Sequence, residues 1–303
     1  MQALQKPDWI ALDWGTSNLR GWAISTQGAI LDHAESADGM GSLTPDQFEP
    51  ALLRLITHWL TDSPTPIIAC GMVGARQGWT EAAYSAVPCP ALSQNLTLAP
   101  TKDARLQVHI IPGLSQSDPA DVMRGEETQI AGYLAQNPDF DGVICLPGTH
   151  SKWAHVSAGE VVSFRTFMTG EMFSLLAKTS VLRHSIAETG WDEETFHTTL
   201  DQTLSRPEQL AAKLFSLRAE SLLHGQSGDT ARAKLSALLI GAELAAAKPY
   251  WLGQPIALIG APALTRIYAA ALNAQGSTPE IADVTAMTLA GLAAIYKSLE
   301  TTP

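Results

Sequence analysis

The chain has 303 residues, of which 46% are apolar and 16% charged, so it can bury a substantial core and form about two domains. These proportions exclude a disordered or fibrous protein. The net charge of -11 argues against nucleic acid or an anionic membrane as a partner, although a few arginines or lysines can still hold a small phosphate ligand.

The first elements in chain order form a predicted antiparallel meander. Residues 9–13 (WIALD) are an apolar run that ends in a carboxylate and a glycine turn, which is typical of a strand. Strands are also predicted at 19–25 and 29–33, joined by a turn at Gly28. Apolar residues then recur at helical spacing between 48 and 60.

The rest of the chain mixes β-like runs with helical patterns. Strands are predicted at 66–70, 108–111, 143–146, 161–167 and 256–259, and helices at about 122–136, 208–223, 231–247 and 284–299. This mixture predicts an α/β protein rather than a helical bundle or a β-sandwich.

The cysteines and the first residues favour a cytoplasmic protein. Cys70, Cys89 and Cys145 form no CxxC motif, so we expect three reduced thiols in or near the core. The N-terminus lacks the basic start and apolar stretch of a signal peptide. Prolines interrupt the longest uncharged stretches, which leaves no run of about 20 apolar residues to span a bilayer.

An internal repeat is visible in the sequence. Residues 13–30 (DWGTSNLRGWAISTQGAI) have a counterpart at 146–161 (LPGTHSKWAHVSAGEV) when Gly15 is aligned with Gly148 and a gap is placed before the second Trp-Ala. We therefore expect a duplicated domain with its boundary near residues 138–142.

Each copy of the repeat has a turn that suits a phosphate. Small residues after a strand expose backbone N–H groups, and a nearby basic residue adds charge. The turn residues are Gly15, Thr16, Ser17 and Asn18 with Arg20 in the first copy, and Gly148, Thr149, His150 and Ser151 with Lys152 in the second. One such turn is a weak signal, because many hairpins use the same residues, but two copies favour a nucleotide cleft between the two domains. His150 is either a phosphate donor or a structural histidine.

Asp13 ends an apolar strand, where an unpaired carboxylate is costly to bury. It either stabilises the turn or holds Mg²⁺ beside the phosphates, usually through water.

These motifs resemble a known superfamily. LDWGTSNLR and LPGTHSKW look like the two phosphate motifs of the actin, Hsp70 and sugar-kinase superfamily, and ALIGAPALTRIY resembles its adenosine motif, with Gly260, Ala261 and Leu264 at the matching positions. The strings CGMVGARQGW, IIPGL, VMRGEETQ and FRTFMTGE narrow the resemblance to the 2-dehydro-3-deoxygalactonokinase family.

The resemblance implies a fold and an activity. The fold would be two duplicated actin-like, ribonuclease H-like domains, residues 1–140 and 141–303, with the last helix returning to the first domain. The activity would be ATP- and Mg²⁺-dependent phosphorylation of the 6-hydroxyl of 2-dehydro-3-deoxy-D-galactonate in galactonate catabolism. The second phosphate motif departs from the superfamily, since Leu146-Pro147 stands where many members carry an acid.

The acidic pair Glu126 and Glu127 is the candidate for catalysis, together with Asp13. The pair stands where related sugar kinases usually place an Asp after a glycine, and a hydroxyl that attacks a phosphate needs a proton acceptor. We expect Glu126, directly after Gly125, to be the base, and Glu127 to cap the helix or hold Arg124. The alternative is that both acids only stabilise the helix dipole.

The loop after the strand at 66–70 is the candidate sugar-acid pocket, because ligands bind at the carboxyl ends of strands in α/β proteins. The predicted substrate residues are Gly71, Met72, Val73, Gly74, Arg76, Gln77, Trp79, Arg165, Thr166 and Glu171. Arg76 is the preferred clamp for the carboxylate and Arg165 the alternative, while the three glycines also suit a plain surface turn.

Other functions stay open at this stage. A kinase of a neighbouring sugar acid, such as 2-dehydro-3-deoxygluconate, would carry the same motifs. A nucleotide-gated assembly protein like actin, or a phosphohydrolase, would share the cleft without a selective polyol pocket. The oligomeric state is also open, a homodimer included.

Overall fold

The fold is that of a computed structural model that describes residues 6–301. The strands are β1 (Trp9–Trp14), β2 (Leu19–Ile24), β3 (Ile30–Ser36), β4 (Thr65–Gly71), β5 (Tyr84–Ala86), β6 (Cys89–Pro90), β7 (Thr97–Leu98), β8 (Leu106–Ile110), β9 (Gly113–Ser117), β10 (Ala120–Met123), β11 (Gly142–Leu146), β12 (Ser151–Ser157), β13 (Glu160–Phe167), β14 (Ile256–Gly260) and β15 (Glu280–Asp283). The helices are α1 (Phe48–Ile56), α2 (Glu126–Gln136), α3 (Thr169–Lys178), α4 (Glu193–Ser205), α5 (Leu210–His224), α6 (Gly228–Ala246), α7 (Lys248–Trp251), α8 (Pro262–Asn273) and α9 (Val284–Thr301).

The contacts within the chain divide it into two compact units. The first contains residues 1–140, 157–163 and 284–303, and the second contains residues 141–156 and 164–283. The first unit is therefore assembled from three separate stretches of sequence.

The first unit contains a six-stranded sheet with the order β3-β2-β1-β4-β8-β7. Strands β1, β2 and β3 form an antiparallel meander, as the sequence predicts. Strands β4 and β8 then add in parallel, so that their carboxyl ends lie at the same edge as that of β1. A smaller sheet, β10-β9-β5, belongs to the same unit.

Apolar side chains cover both faces of this sheet. On one face Phe48, Leu52 and Ile56 of α1 pack in a cluster with buried residues of β1 and β4. On the other face α9 contributes buried side chains, and its Tyr296 stacks on Trp9 with the ring centres 4.7 Å apart. The last helix thus forms part of the core of the first unit.

A second six-stranded sheet repeats the same topology in the order β15-β14-β11-β12-β13-β6. Strands β11 and β12 pair antiparallel, while β14 and β15 run parallel to β11. Replacing β1, β2, β3, β4 and β8 by β11, β12, β13, β14 and β15 reproduces five strands of the first sheet, whereas the sixth strands, β7 and β6, lie at opposite ends. This correspondence confirms the duplicated ribonuclease H-like fold.

The strand register corrects one detail of the repeat. Arg20 faces Asp13 across β1 and β2, and Lys152 faces Leu146 across β11 and β12, so the two basic residues correspond. Trp22, however, faces Ala11, which lies two positions before Asp13, whereas Trp153 faces the residue directly before Leu146. The two Trp-Ala strings are therefore one position out of register, and their similarity is accidental.

Some element boundaries differ from the predicted ones. The helix expected from residue 122 begins at Glu126, because residues 120–123 pair with β9 as strand β10. Helices α3, α4 and α8 lie in segments that carried no prediction. All three cysteines are free, and Cys70 and Cys145 are buried, as expected. Within residues 6–301, no helix is both long and apolar enough to cross a membrane.

Helices α2 and α9 approach each other closely through two glycines. A Cβ atom at Gly132 would lie 1.9 Å from the carbonyl oxygen of Met287, and one at Gly291 would lie 2.0 Å from that of Thr128. No real Cβ contact is this short, so the helix pair cannot keep its spacing if either residue gains a side chain.

We expect Gly132→Ala to lower the free energy of unfolding by about 1–3 kcal/mol, because the new methyl group forces the helices apart. Helix propensity alone predicts that Gly132→Ala raises the free energy of unfolding, by roughly 0.5–1 kcal/mol. Urea unfolding of the variant measures the sign directly. Gln136→Ala, at an exposed site on the same helix, is the control and should change stability little. A stabilised Gly132→Ala protein would contradict the close packing.

Candidate active site

A close approach of two glycines organises the site in the first unit. Gly71 ends β4 with φ of +90°, and Gly125 precedes α2 with φ of +105°, a region that other residues rarely adopt. A Cβ at Gly71 would lie 2.7 Å from the carbonyl oxygen of Trp14, and one at Gly125 would lie 3.3 Å from the Cα of Gly71. The ends of β1 and β4 and the start of α2 therefore meet at one point.

The acidic pair begins α2 at this point, and its two members differ in environment. Glu127 is fully buried and accepts a hydrogen bond from the Gly125 N–H at 2.6 Å and another from the Thr128 hydroxyl at 3.1 Å. Glu126 is half-buried, and its Oε2 accepts from the Arg124 N–H at 3.1 Å. Burial, and next the charge of Glu126, raises the pKa of Glu127 to about 7.

Asp13 belongs to the same group of carboxyls. Its Oδ2 is paired with the guanidinium of Arg20, and its Oδ1 lies 4.0 Å from the Cys70 sulfur. Burial raises the pKa of the Cys70 thiol, and the charges of Asp13 and Glu127 raise it further. Asp13 and Glu127, two of the three predicted catalytic residues, therefore both influence the Cys70 thiol. The third, Glu126, directly precedes Glu127 in the chain.

The first predicted phosphate turn lies at the carboxyl end of β1. Thr16, Ser17 and Asn18 are exposed, and the turn is closed by a hydrogen bond from the Gly15 N–H to the Asn18 carbonyl. The carbonyl oxygens of Gly15 and Thr16 accept from the N–H groups of residues 40 and 41. Arg20, the basic residue of this turn, is engaged with Asp13.

The predicted sugar-acid loop follows Gly71 directly, but most of its side chains point inward. Val73 and Gly74 are buried, and Trp79 packs its ring against Trp14 and Phe48 in the core. Such packing removes the structural support for Trp79 as an aromatic platform for sugar. Met72 is half-buried, while Arg76 and Gln77 are exposed, the Arg76 side chain by 82%.

The second phosphate turn, in the second unit, is tied to the start of α3. The Glu171 N–H donates to the carbonyl of Thr149 at 2.9 Å, and the Glu171 carboxylate lies 2.7 Å from His150 Nε2. Glu171, a predicted substrate residue, is therefore joined to a predicted phosphate residue. Of the remaining predicted substrate residues, Arg165 is exposed and Thr166 is half-buried, both on β13.

The adenosine motif meets this turn beside a cavity of the second unit. A Cβ at Gly260 would lie 2.9 Å from the Pro147 carbonyl, and Ala261 caps α8. The cavity has a volume of about 250 Å³. It is lined by Gly148, Thr169, Gly170, Phe173, Trp191, Arg232, Ser236, Leu239, Ile240, Ala263, Leu264, Ile267 and Tyr268. Gly148 and Leu264, from separate predicted motifs, thus share one largely apolar cavity, which suits a flat aromatic base.

A buried carboxylate supports this cavity from behind. Glu243 of α6 is 3% exposed and accepts hydrogen bonds from Trp153 Nε1 at 2.8 Å, from the Tyr268 hydroxyl at 2.7 Å and from the Thr169 hydroxyl. Burial raises the pKa of Glu243, and these donors oppose the rise. Sequence reasoning missed this residue, although a lone acid within the apolar run SALLIGAELAAA is a usable signal.

The two ribonuclease H-like sheets of duplicated topology define a member of the actin-like ATPase and sugar-kinase fold class. In agreement with that fold, the chain superposes on the activator of the 2-hydroxyisocaproyl-CoA dehydratase from Clostridium difficile with a TM-score of 0.53, at 11% identity over 97% of this chain and 98% of that one.

Within this class, the chain belongs to the 2-keto-3-deoxy-galactonokinase family, whose sequence profile it matches over residues 13–295. It is 35% identical to the 2-dehydro-3-deoxygalactonokinase of Escherichia coli (strain K12), over 92% of each chain. A crystal structure from Sinorhizobium meliloti, named as a 2-dehydro-3-deoxygalactonokinase, is 37% identical and superposes with a TM-score of 0.90, covering 97% of this chain and 100% of that one.

The buried Glu127 predicts a pH dependence of stability. The pKa of Glu127 is about 7 in the folded protein and near 4.5 when the side chain is exposed. Its contribution to the free energy of unfolding is therefore fully present below pH 4.5 and is lost as pH rises through 7. At about 1.4 kcal/mol per pH unit, we expect a loss of roughly 3 kcal/mol over that range. Glu127→Gln should flatten this part of the curve of unfolding free energy against pH.

Glu194→Gln, at an exposed site of α4, is the matched control and should leave the slope unchanged. Equal slopes for the wild type and Glu127→Gln would show that Glu127 titrates as an ordinary carboxyl.

Proposed function

We propose that this protein transfers the γ-phosphate of ATP to the 6-hydroxyl of 2-dehydro-3-deoxy-D-galactonate, as its family membership indicates. The observation that supports the proposal most is the group of Asp13, Glu126 and Glu127 around Gly71 and Gly125 in the first unit. In this proposal Glu126 serves as the proton acceptor and Asp13 as the cation-binding carboxylate, beside the carboxyl ends of β1 and β4, and a phosphoryl transfer needs both.

ATP binding is assigned mainly to the second unit. The adenine would enter the cavity lined by Gly148 and Leu264, with the apolar wall of α6 and α8 against its faces. The exposed N–H groups of the turn that contains Thr149 and His150 would hold the phosphates. The Glu243 network keeps Thr169 and Tyr268, two lining residues, in fixed positions.

A divalent cation is the expected companion of ATP, and we propose Mg²⁺. In the described part of the chain no three His, Cys, Asp or Glu residues cluster as a complete metal site. The single carboxylate of Asp13 is enough to bind Mg²⁺, because this ion takes one or two carboxylates and completes its coordination shell with phosphates and water. Arg20 fixes the direction of the Asp13 carboxylate. When bound, the cation would neutralise charge that develops on the phosphate oxygens.

Glu126 is assigned as the general base. As the hydroxyl oxygen of the sugar acid forms its bond to the γ-phosphorus and the bond to ADP breaks, the hydroxyl proton passes to the Glu126 carboxylate. Glu126 is half-buried and therefore reachable, whereas Glu127 is fully buried and held by the Gly125 N–H. Glu127 is thus a positioning residue behind the base.

The function is tested by phosphorus NMR with ATP, Mg²⁺ and a panel of sugar acids. We expect phosphorylation at C6 of 2-dehydro-3-deoxy-D-galactonate, a lower kcat/KM for the epimer 2-dehydro-3-deoxy-D-gluconate, and little ATP consumption without an acceptor. ATP hydrolysis that no sugar acid accelerates would contradict the kinase and support the phosphohydrolase alternative. A higher kcat/KM for the gluconate epimer would keep the class and change the substrate.

The base is tested by Glu126→Gln, which keeps the shape of the side chain and removes its basicity. We expect kcat to fall by roughly a hundredfold or more, within the range usual for a general base, with KM for ATP unchanged. Glu127→Gln should reduce kcat less, because the buried group only orients the start of α2. If both variants keep a normal kcat, the proton passes to the phosphate and the assignment fails.

A further inference from the structure

Arg124 carries a buried positive charge that the preceding assignments leave unused. Its side chain is only 8% exposed, although it lies directly before Gly125 and the acidic pair. Its Nη2 donates to the Ala82 carbonyl at 2.7 Å, and its guanidinium carbon lies 4.4 Å from the centre of the Tyr84 ring. The tyrosine face attracts the cation but accepts none of its in-plane N–H groups.

The other nitrogens of this guanidinium have no acceptor. Both Nε and Nη1 are buried, and neither has a hydrogen-bond partner among the described residues. No salt bridge of the described residues includes Arg124, but its charge lowers the pKa of Glu127 against the larger effect of burial. Burying a guanidinium whose N–H groups have no acceptor is unfavourable, and a bound carboxylate would offset this cost. The adjacent N–H groups of Nε and Nη1 also match the two oxygens of a carboxylate.

The position of Arg124 suits the acid end of the substrate. Its Nη1 lies beside Gly74, where a Cβ would come within 2.9 Å of it, so the guanidinium adjoins the loop at 71–79. Its main chain continues into Glu126, the assigned base. A sugar acid near Glu126 and Glu127 would be repelled by their charges unless a cation offsets them.

The two arginines predicted from sequence fit this role less well. Arg76 has a side chain that is 82% exposed and lies 4.0 Å from Glu81, and Arg165 is exposed on β13. An exposed arginine competes with water for a carboxylate and discriminates weakly. A desolvated arginine binds one much more strongly.

We propose that Arg124 binds the carboxylate of the sugar acid through Nε and Nη1 and selects acids over neutral sugars. This inference rests on the proposed function. Gly74, in the turn of Met72–Gly74, lies against Nη1, so this turn must move aside when the carboxylate binds. The same turn would then close over the bound acid.

The test compares the sugar acid with its carboxamide, which has nearly the same shape and no charge. For the wild type we expect KM for the acid to be ten- to a hundredfold lower than for the amide. Arg124→Gln should abolish this difference by weakening only the acid, and KM for ATP should stay the same. Arg124→Lys, which keeps the charge without the planar fork, should restore part of it.

Arg76→Gln and Arg165→Gln are the controls and should keep the full difference between acid and amide. Arg124→Lys is also the second probe if Arg124→Gln does not fold, and a partial loss of the difference between acid and amide is then the expected result.

Equal weakening of acid and amide by Arg124→Gln would mean that the residue only supports the loop, and would overturn the proposal. Loss of the difference in Arg76→Gln or Arg165→Gln would overturn it in favour of that residue. If wild-type protein phosphorylates neither compound, the proposed function itself fails. A wild-type enzyme that phosphorylates acid and amide with equal KM would instead overturn only the role of Arg124.

Discussion

The contact between Gly71 and Gly125 is the constraint on which the first unit's site depends. Without side chains at these two positions, the end of β4 reaches the carbonyl of Trp14, and the start of α2 reaches the end of β4. Three segments far apart in sequence then bring the predicted phosphate turn, the predicted substrate loop and the acidic pair to one place. This geometry buries Glu127, and burial together with the charge of the neighbouring Glu126 raises its pKa.

Duplication provided two copies of one fold, and the copies have specialised. The position of Asp13 in the first sheet is occupied by Leu146 in the second, while the basic residue opposite it is kept as Arg20 and Lys152. The three carboxylates proposed for catalysis, Asp13, Glu126 and Glu127, are all in the first unit. In the other unit the buried acid, Glu243, has a structural role, because it accepts hydrogen bonds from Trp153 and from Tyr268, which lines a cavity.

Local pattern predicted the strands and helices that carry strong periodicity, and the repeat predicted the duplicated fold. Helices α3 and α8 are amphipathic but lie in segments that were interpreted only as substrate and adenosine motifs, and α4 is mostly polar. The conflict at residues 120–123 was decided by pairing with β9, which no local signal reveals. The sequence also did not predict which side chains would be buried. Trp79 packs into the core and Arg124 is buried with two unpartnered nitrogens, because residues distant in sequence surround both side chains.

The division of the first unit into three stretches has a consequence for biosynthesis. Helix α9 supplies Leu292, Ile295 and Tyr296 to a cluster with Trp9 and Trp22, so this core stays incomplete until nearly the whole chain has left the ribosome. All residues of the second unit emerge earlier. Domains generally fold in the order of their synthesis. Here the N-terminal sheet must wait for α9, and one of its apolar faces stays partly uncovered until that helix is made.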